Sequence, residues 1–221
     1  MTFSVLDFQF LINPVHQRKV ENIGSEEIKN IEKSLDDLAT LLHGNFQWIL
    51  SGGMIIPLIT GGYSRVHFDF DIEILPQHLQ TMVETTKIRG YNLFSRTLMA
   101  KLSPCQKLDV YRSVSPEEAS KGLRNLRLAR LDNGGKIIRH TNLMDYIDIY
   151  LYDVAIDGVF LRENGVSIPF LQKSNETYTT QSGHQIAVRP LWYIEKLKAM
   201  KPDDLNSFDL RVVDWYTSQH A

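Results

Sequence analysis

The sequence predicts an α+β fold: a small mixed β-sheet flanked by helices, with further helices at the C-terminal end. Three observations predict it. Residues 46–75 read as one strand–turn–helix–strand unit. The later strands come as hairpins rather than alternating with helices. From Arg189 onward the pattern turns helical.

The elements follow in chain order. Val5, Phe8, Phe10, Leu11 and Ile12 are apolar without a clean period, and Asn13-Pro14 interrupts them. From Ser25 to His43 the pattern is helical, with Ser25 as N-cap and Glu26 and Glu27 in the first turn. Ile28, Ile31, Leu35, Leu38 and Leu42 form its apolar stripe, and Gly44 closes it. Phe46 to Leu50 reads as a strand and Ser51-Gly52-Gly53 as a tight turn. Met54 to Thr60 reads as a short apolar helix, shortened or bent by Pro57 and ended by Gly61-Gly62. His67 to Leu75 alternates strictly. Phe68, Phe70, Ile72 and Ile74 take one face; His67, Asp69, Asp71 and Glu73 take the other.

Pro76 opens a helix to about Lys87, and Tyr91 to Arg96 and Leu108 to Tyr111 are short strands. Arg124, Arg127 and Arg130 recur at helical spacing, or face one side of an irregular strand. Asp132-Asn133-Gly134-Gly135 is a turn, and Tyr146 to Asp153 is a strand rich in β-formers with Asp148 near its middle. Ala155 to Phe160 reads as a hairpin with a type I′ turn. Val166–Phe170 and Ile186–Val188 are short strands, with turns at Asn164-Gly165 and Ser182-Gly183. Pro190 starts a helix in RPLWYIEKLKAM, and a last helix runs from about Asp203 to Thr217.

Composition narrows the function. A net charge of −2 gives no basic surplus for nucleic acid. The single cysteine, Cys105, excludes an internal disulfide framework and fits a reducing, cytoplasmic setting. No apolar run reaches membrane-span length.

The chemistry sits between Trp48 and Leu75. Asp69 and Asp71 are two residues apart on a strand, so their carboxylates lie side by side. At about 4 Å they repel by roughly 4 kcal/mol at an effective dielectric near 20. A divalent cation removes that cost, and Mg²⁺ commonly takes one or two carboxylates plus substrate phosphate oxygens. The Gly52-Gly53 turn leads into a helix N-terminus, where backbone N–H groups and the helix dipole favour an anion. A phosphate seat and a metal seat thus share one unit.

These residues resemble the nucleotidyltransferase superfamily, whose mark is a Gly-Gly or Gly-Ser turn followed by Asp-x-Asp on the next strand. Gly52-Gly53, Gly61, Arg65, His67, Asp69 and Asp71 are similar to the small lincosamide and aminoglycoside nucleotidyltransferases. The resemblance covers about 28 residues closely and departs from that pattern at Pro57. It implies a catalytic core over 1–188, with helix 25–43 packed on it, and a helical segment 189–221 closing the cleft. It implies an NTP donor, ATP before the others, with Mg²⁺ or Mn²⁺ at Asp69 and Asp71. Asp148 takes the place of a third carboxylate from a later strand, with Asp153 and Asp109 as alternatives. Lys196, in Glu195-Lys196-Leu197, corresponds to a lysine that reaches the triphosphate, and Lys198 competes for that role. His67 contacts acceptor or phosphate, or only shapes its loop. The expected activity is transfer of an NMP to a hydroxyl of a small acceptor. RNA or protein acceptors, with Arg124, Arg127 and Arg130 lining a basic groove, and a non-catalytic module are the alternatives.

Overall fold

A computed structural model gives the fold and describes residues 8–14, 23–63, 65–140, 142–155, 158–163, 166–169, 176–199 and 204–220. The chain runs β1 (Phe8–Pro14), α1 (Ser25–Leu41), β2 (Trp48–Ser51), a single 3₁₀ turn (Gly52–Met54), α2 (Ile55–Thr60), β3 (Phe70–Ile74) and α3 (Pro76–Lys87). It continues through β4 (Tyr91–Ser103), β5 (Gln106–Ser113), α4 (Pro116–Ser120), β6 (Leu126–Arg130) and β7 (Tyr146–Leu151). Then come β8 (Asp153–Ala155), β9 (Gly158–Glu163), β10 (Val166–Pro169), β11 (Glu176–Thr179), β12 (Gln185–Val188), α5 (Leu191–Ala199) and α6 (Asp204–His220).

Nine strands form one mixed sheet in the order β1-β5-β4-β6-β7-β3-β2-β12-β11. β8, β9 and β10 form a separate antiparallel sheet. The α+β expectation holds, with a wider sheet than the small one expected.

The main core lies where α1, α3 and α4 meet the sheet. Leu35, Leu38 and Leu42 of the first helix and its end join Leu79 and Met82 of α3. They join Ile72 and Ile74 of β3 and Ile147 and Ile149 of β7. The stripe expected on α1 is the buried one, apart from half-buried Ile28. A second, smaller cluster of Leu11, Phe94, Tyr111, Ala129, Ile137 and Tyr146 lies beside it. Strand alternation sends the odd residues of β7 to the main core, which leaves Tyr146 and Asp148 on the other face.

Several boundaries differ from the sequence expectation. The Asp-x-Asp strand begins at Phe70, so His67, Phe68 and Asp69 form irregular backbone ahead of it. The strand expected from Phe46 starts at Trp48. Gly24, not Ser25, is the N-cap of α1, with no side-chain capping bond, and Leu42 rather than Gly44 is its C-cap. Pro190 precedes α5 and accepts through its carbonyl from the N–H groups of Tyr193 and Ile194. The strand expected over Tyr91–Arg96 extends to Ser103, pairing with β5 across two register shifts. The strand at Phe8–Pro14 was hidden by its broken period; it pairs with β5 residue for residue. Arg124, Arg127 and Arg130 lie on or just before β6, not on a helix. The turns expected at 156–157 and 164–165, and the junction at 201–203, lie outside the described residues. Among the described residues no helix is long and apolar enough to cross a membrane.

Candidate active site

Two strands set the frame of the acids. β3 runs parallel to β7, and Asp71 stands directly opposite Asp148. Asp69 lies one residue before β3, half-buried. The three acids therefore share one face of the sheet. On the other side β2 is antiparallel to β3, and Ser51 stands opposite Asp71. The chain turns immediately after Ser51, so the Gly52-Gly53 turn falls on Asp71.

Neither glycine of the turn has room for a side chain. Gly52 has φ +71°, in the left-handed region, and a β-carbon there would stand 1.9 Å from Asp71 Oδ2. A β-carbon on Gly53 would stand 1.9 Å from Arg65 Nη2 and 3.4 Å from His67 Cε1. The turn is therefore packed against Asp71, Arg65 and His67. α2 follows at once, and Gly61 ends it with φ +70° while its N–H donates to the Pro57 carbonyl.

Arg65 is buried and fixed. Its Nε and Nη2 donate to Asp209 of α6 at 2.8 and 3.0 Å. Lys198 of α5 joins the same carboxylate at 2.6 Å. Burial lowers the Lys198 pKa, and the Asp209 charge partly offsets this. Asp71 also acts on Lys198 electrostatically. Lys196 is exposed, whereas Lys198 is buried, so the lysine brought to the acids is Lys198.

Asp148 is half-buried and held by Arg127, its partner across β6 and β7. Arg127 Nε and Nη2 donate to the two Asp148 oxygens, and Nη2 lies 3.6 Å from Asp69 Oδ2. Arg127 Nη1 donates to the Tyr111 hydroxyl at 2.7 Å, and its Cζ lies 4.7 Å from the centre of the Tyr146 ring. His140 stacks on Tyr146 with ring centres 4.7 Å apart, and Phe68 meets His140 edge-on. The alternative acids stand elsewhere. Asp153 is paired with Arg124. Asp109 is fully buried, takes a bond from Asn13 at 2.9 Å and lies 3.4 Å from Lys107.

Charge defines the site. Burial raises the Asp71 pKa well above the carboxylate range, and Asp69 and Asp148 raise it further. Such a carboxylate is stabilised by an added cation. Among the described residues no three His, Cys, Asp or Glu side chains are arranged to hold a metal by themselves. The donor set fits the usual arrangement for Mg²⁺, in which one or two carboxylates are completed by substrate phosphate and water.

Two buried networks brace the site, and sequence reasoning missed both. Glu73, on the Asp-x-Asp strand, accepts from Arg189 at 2.8 and 2.6 Å and from the Tyr152 hydroxyl. Glu32, on the apolar side of α1, accepts from the hydroxyls of Tyr63 at 2.6 Å and Tyr178 at 2.9 Å. Tyr63 belongs to the segment that leads from Gly61 to Arg65, so α1 holds that segment in place. A charged residue inside an apolar helical stripe was the available signal for Glu32.

No family model matches the chain, and no curated protein matches it. Solved structures resemble it at low identity. The lincosamide antibiotic adenylyltransferase LnuA, solved with lincomycin bound, is 14% identical, with a TM-score of 0.44 over 88% of this chain and 98% of that one. A Thermotoga maritima protein described as a nucleotidyltransferase is 12% identical, with a TM-score of 0.44 over 90% of this chain and 98% of that one. ANT(2″)-Ia, solved with adenylyl-2″-tobramycin, is 10% identical, with a TM-score of 0.39 over 89% of this chain and 98% of that one. All three are nucleotidyltransferases.

Proposed function

We propose that the protein transfers an NMP, AMP before the others, from an NTP to a hydroxyl of a small acceptor. One observation carries this reading: the Gly52-Gly53 turn packs directly on Asp71, with Asp148 opposite Asp71 on the next strand. A phosphate-binding turn and a carboxylate cluster in which the Asp71 pKa is raised thus adjoin.

The triphosphate lies along the Gly52–Met54 turn, where backbone N–H groups face it. Lys198 and Arg65 supply positive charge there, held ready by Asp209. Asp69 and Asp71 are the residues that would hold Mg²⁺ or Mn²⁺, which when bound neutralises phosphate charge and polarises the α-phosphorus. Asp148 either adds to that donor set or serves the acceptor. The acceptor oxygen forms its bond to the α-phosphorus, the bond to the β-phosphate oxygen breaks, and pyrophosphate leaves. The hydroxyl proton passes to Asp148 or to solvent. The chain's contribution is mostly positioning and charge neutralisation. His67 flanks the turn beside Arg65, on the phosphate side. Residues 1–188 form the core in this reading, and 189–221 close the cleft through Lys198 and Asp209.

A small acceptor is favoured over RNA because Arg124, Arg127 and Arg130 are each ion-paired with an acid. A basic groove needs cations left for phosphates. A cytoplasmic setting accords with the single exposed thiol. The test is incubation with each α-labelled NTP and Mg²⁺, across a panel of aminoglycosides, lincosamides, RNA and protein extract. Label transferred to a small hydroxyl compound supports the reading; label on RNA or protein alone replaces the acceptor; no transfer to any class defeats the enzyme assignment.

A further inference from the structure

We infer that this site takes a single divalent cation with its nucleotide, because Arg127 fills the place of a second one. The inference rests on the nucleotidyltransfer reading above and concerns what Arg127 does within it.

Three observations lead there. Both Asp148 oxygens are taken by the Arg127 fork, one by Nε and one by Nη2. A carboxylate so engaged has its best lone pairs committed, and a planar guanidinium matches that geometry bidentately. The same guanidinium reaches to 3.6 Å from Asp69 Oδ2, so it spans the gap between the first and third acids. A second metal bridging those acids would have to occupy that gap and would be repelled by the resident charge.

Arg127 is also not a loose surface cation. Tyr111 accepts from Nη1, the Tyr146 ring lies under Cζ, and the side chain is buried. Burial alone lowers its pKa; the Asp148 charge and hydrogen bonds, joined by Tyr111 and Asp69, together outweigh this and raise it, so it stays charged. Asp109, a buried acid on β5 two strands away, is engaged through Oδ2 by Asn13 and Lys107. Displacing the guanidinium would leave it buried without its carboxylate.

The consequence concerns Asp148. Paired with Arg127, it is held in one orientation, and its remaining lone pairs face the acceptor rather than a metal. Arg127 is thus a positioning residue that acts through Asp148. Asp69 and Asp71 alone carry the cation.

The count of bound metal tests this. The full chain is titrated with Mn²⁺ in the presence of a non-hydrolysable α,β-methylene ATP, followed by calorimetry and by the free-Mn²⁺ resonance signal. One Mn²⁺ per wild-type chain is expected, and two for Arg127→Met. Arg127→Lys keeps a charge in the gap and should stay at one. Two Mn²⁺ in the wild type overturn the inference, as does one in a folded Arg127→Met. If Arg127→Met does not fold, the wild-type and Arg127→Lys counts still decide: two in either sinks it. Nucleotide bound with no Mn²⁺ at all defeats the metal assignment at Asp69 and Asp71, and this inference with it. Absence of nucleotide binding defeats the underlying functional reading instead.

Discussion

Gly52 lies so close to Asp71 that a β-carbon on the glycine would stand 1.9 Å from the carboxylate oxygen. The backbone there also has φ +71°, which side chains rarely adopt. The nearest obstacle is the proposed metal-binding acid itself. The proposed phosphate turn and the proposed metal-binding acid are therefore fixed by one contact.

The two glycines should respond differently to alanine. Gly52→Ala meets the left-handed penalty of about 1–2 kcal/mol and pushes Asp71 out of place. Its melting temperature should fall, and metal-dependent nucleotide binding should be lost. At Gly53 a β-carbon would meet the far end of the Arg65 side chain. Arg65 is buried and held by Asp209, so it cannot give way without loosening that pair. Gly53→Ala should melt lower than the wild type, but by less than Gly52→Ala, whose backbone is strained as well, and nucleotide binding should weaken. Calorimetric melts and nucleotide titrations on both variants check this, and equal loss of stability in the two would refute it.

Asp71 should make the free protein less stable at neutral pH than an amide would. Burial first, and the Asp69 and Asp148 charges second, raise its pKa in the folded state. The folded chain then binds that proton more tightly than the unfolded chain does. The associated stability is present below the ordinary carboxylate pKa of about 4. It is lost as pH rises through the raised value. Asp71→Asn should melt higher at pH 7, by roughly 2–4 °C per kcal/mol gained, with a flatter profile between acid and neutral pH. Mg²⁺ with ATP should raise the wild-type melting point and leave the variant unmoved. A variant that melts lower at pH 7 would contradict the account.

Local patterns exposed much of this site in the sequence. The two-residue period of 67–75 placed Asp69 and Asp71 on one face, and alternation in 146–151 put Asp148 opposite its buried neighbours. What stayed hidden depends on long-range pairing. Arg65 meets Asp209 across 144 residues, and Glu32 meets Tyr178 across 146. No local period carries such contacts. Arg127 was visible only as one of three spaced arginines, because its role comes from β6 pairing with β7. Lys196 and Lys198 could not be separated without the helix position of α5, since both read as lysines in one short segment.

The Glu73–Arg189 pair should be a stability element rather than part of the chemistry. Both side chains are about 1% exposed, and Arg189 also anchors the start of α5 by donating its N–H to the Leu50 carbonyl at 3.0 Å. Arg189→Met leaves a buried carboxylate without its cation, a change that costs roughly 3–5 kcal/mol. Adding Glu73→Gln removes the stranded charge and should recover part of that loss. A double-mutant cycle by denaturant melts measures the coupling. If the double variant is no more stable than Arg189→Met alone, the stranded-charge explanation fails.

Lys198, rather than Lys196, should carry the triphosphate. The two are two residues apart, so their side chains leave α5 about 200° apart. Lys196 is exposed, while Lys198 is buried against Asp209, whose carboxylate also holds Arg65. Two cations on one anion leave a net positive charge beside the Gly52-Gly53 turn. Asp209 holds both cations in place, so little side-chain entropy is lost on nucleotide binding. Lys198→Met should weaken ATP binding tenfold or more, about 1.4 kcal/mol at least. Lys196→Met should leave the affinity within about twofold, as expected for a solvated surface charge. Binding of AMP, which has no β- or γ-phosphate, should change far less with Lys198→Met than binding of ATP. Titration of both nucleotides into both variants decides it: equal effects on AMP and ATP would move Lys198 away from the triphosphate, and a larger loss at Lys196→Met would reverse the assignment.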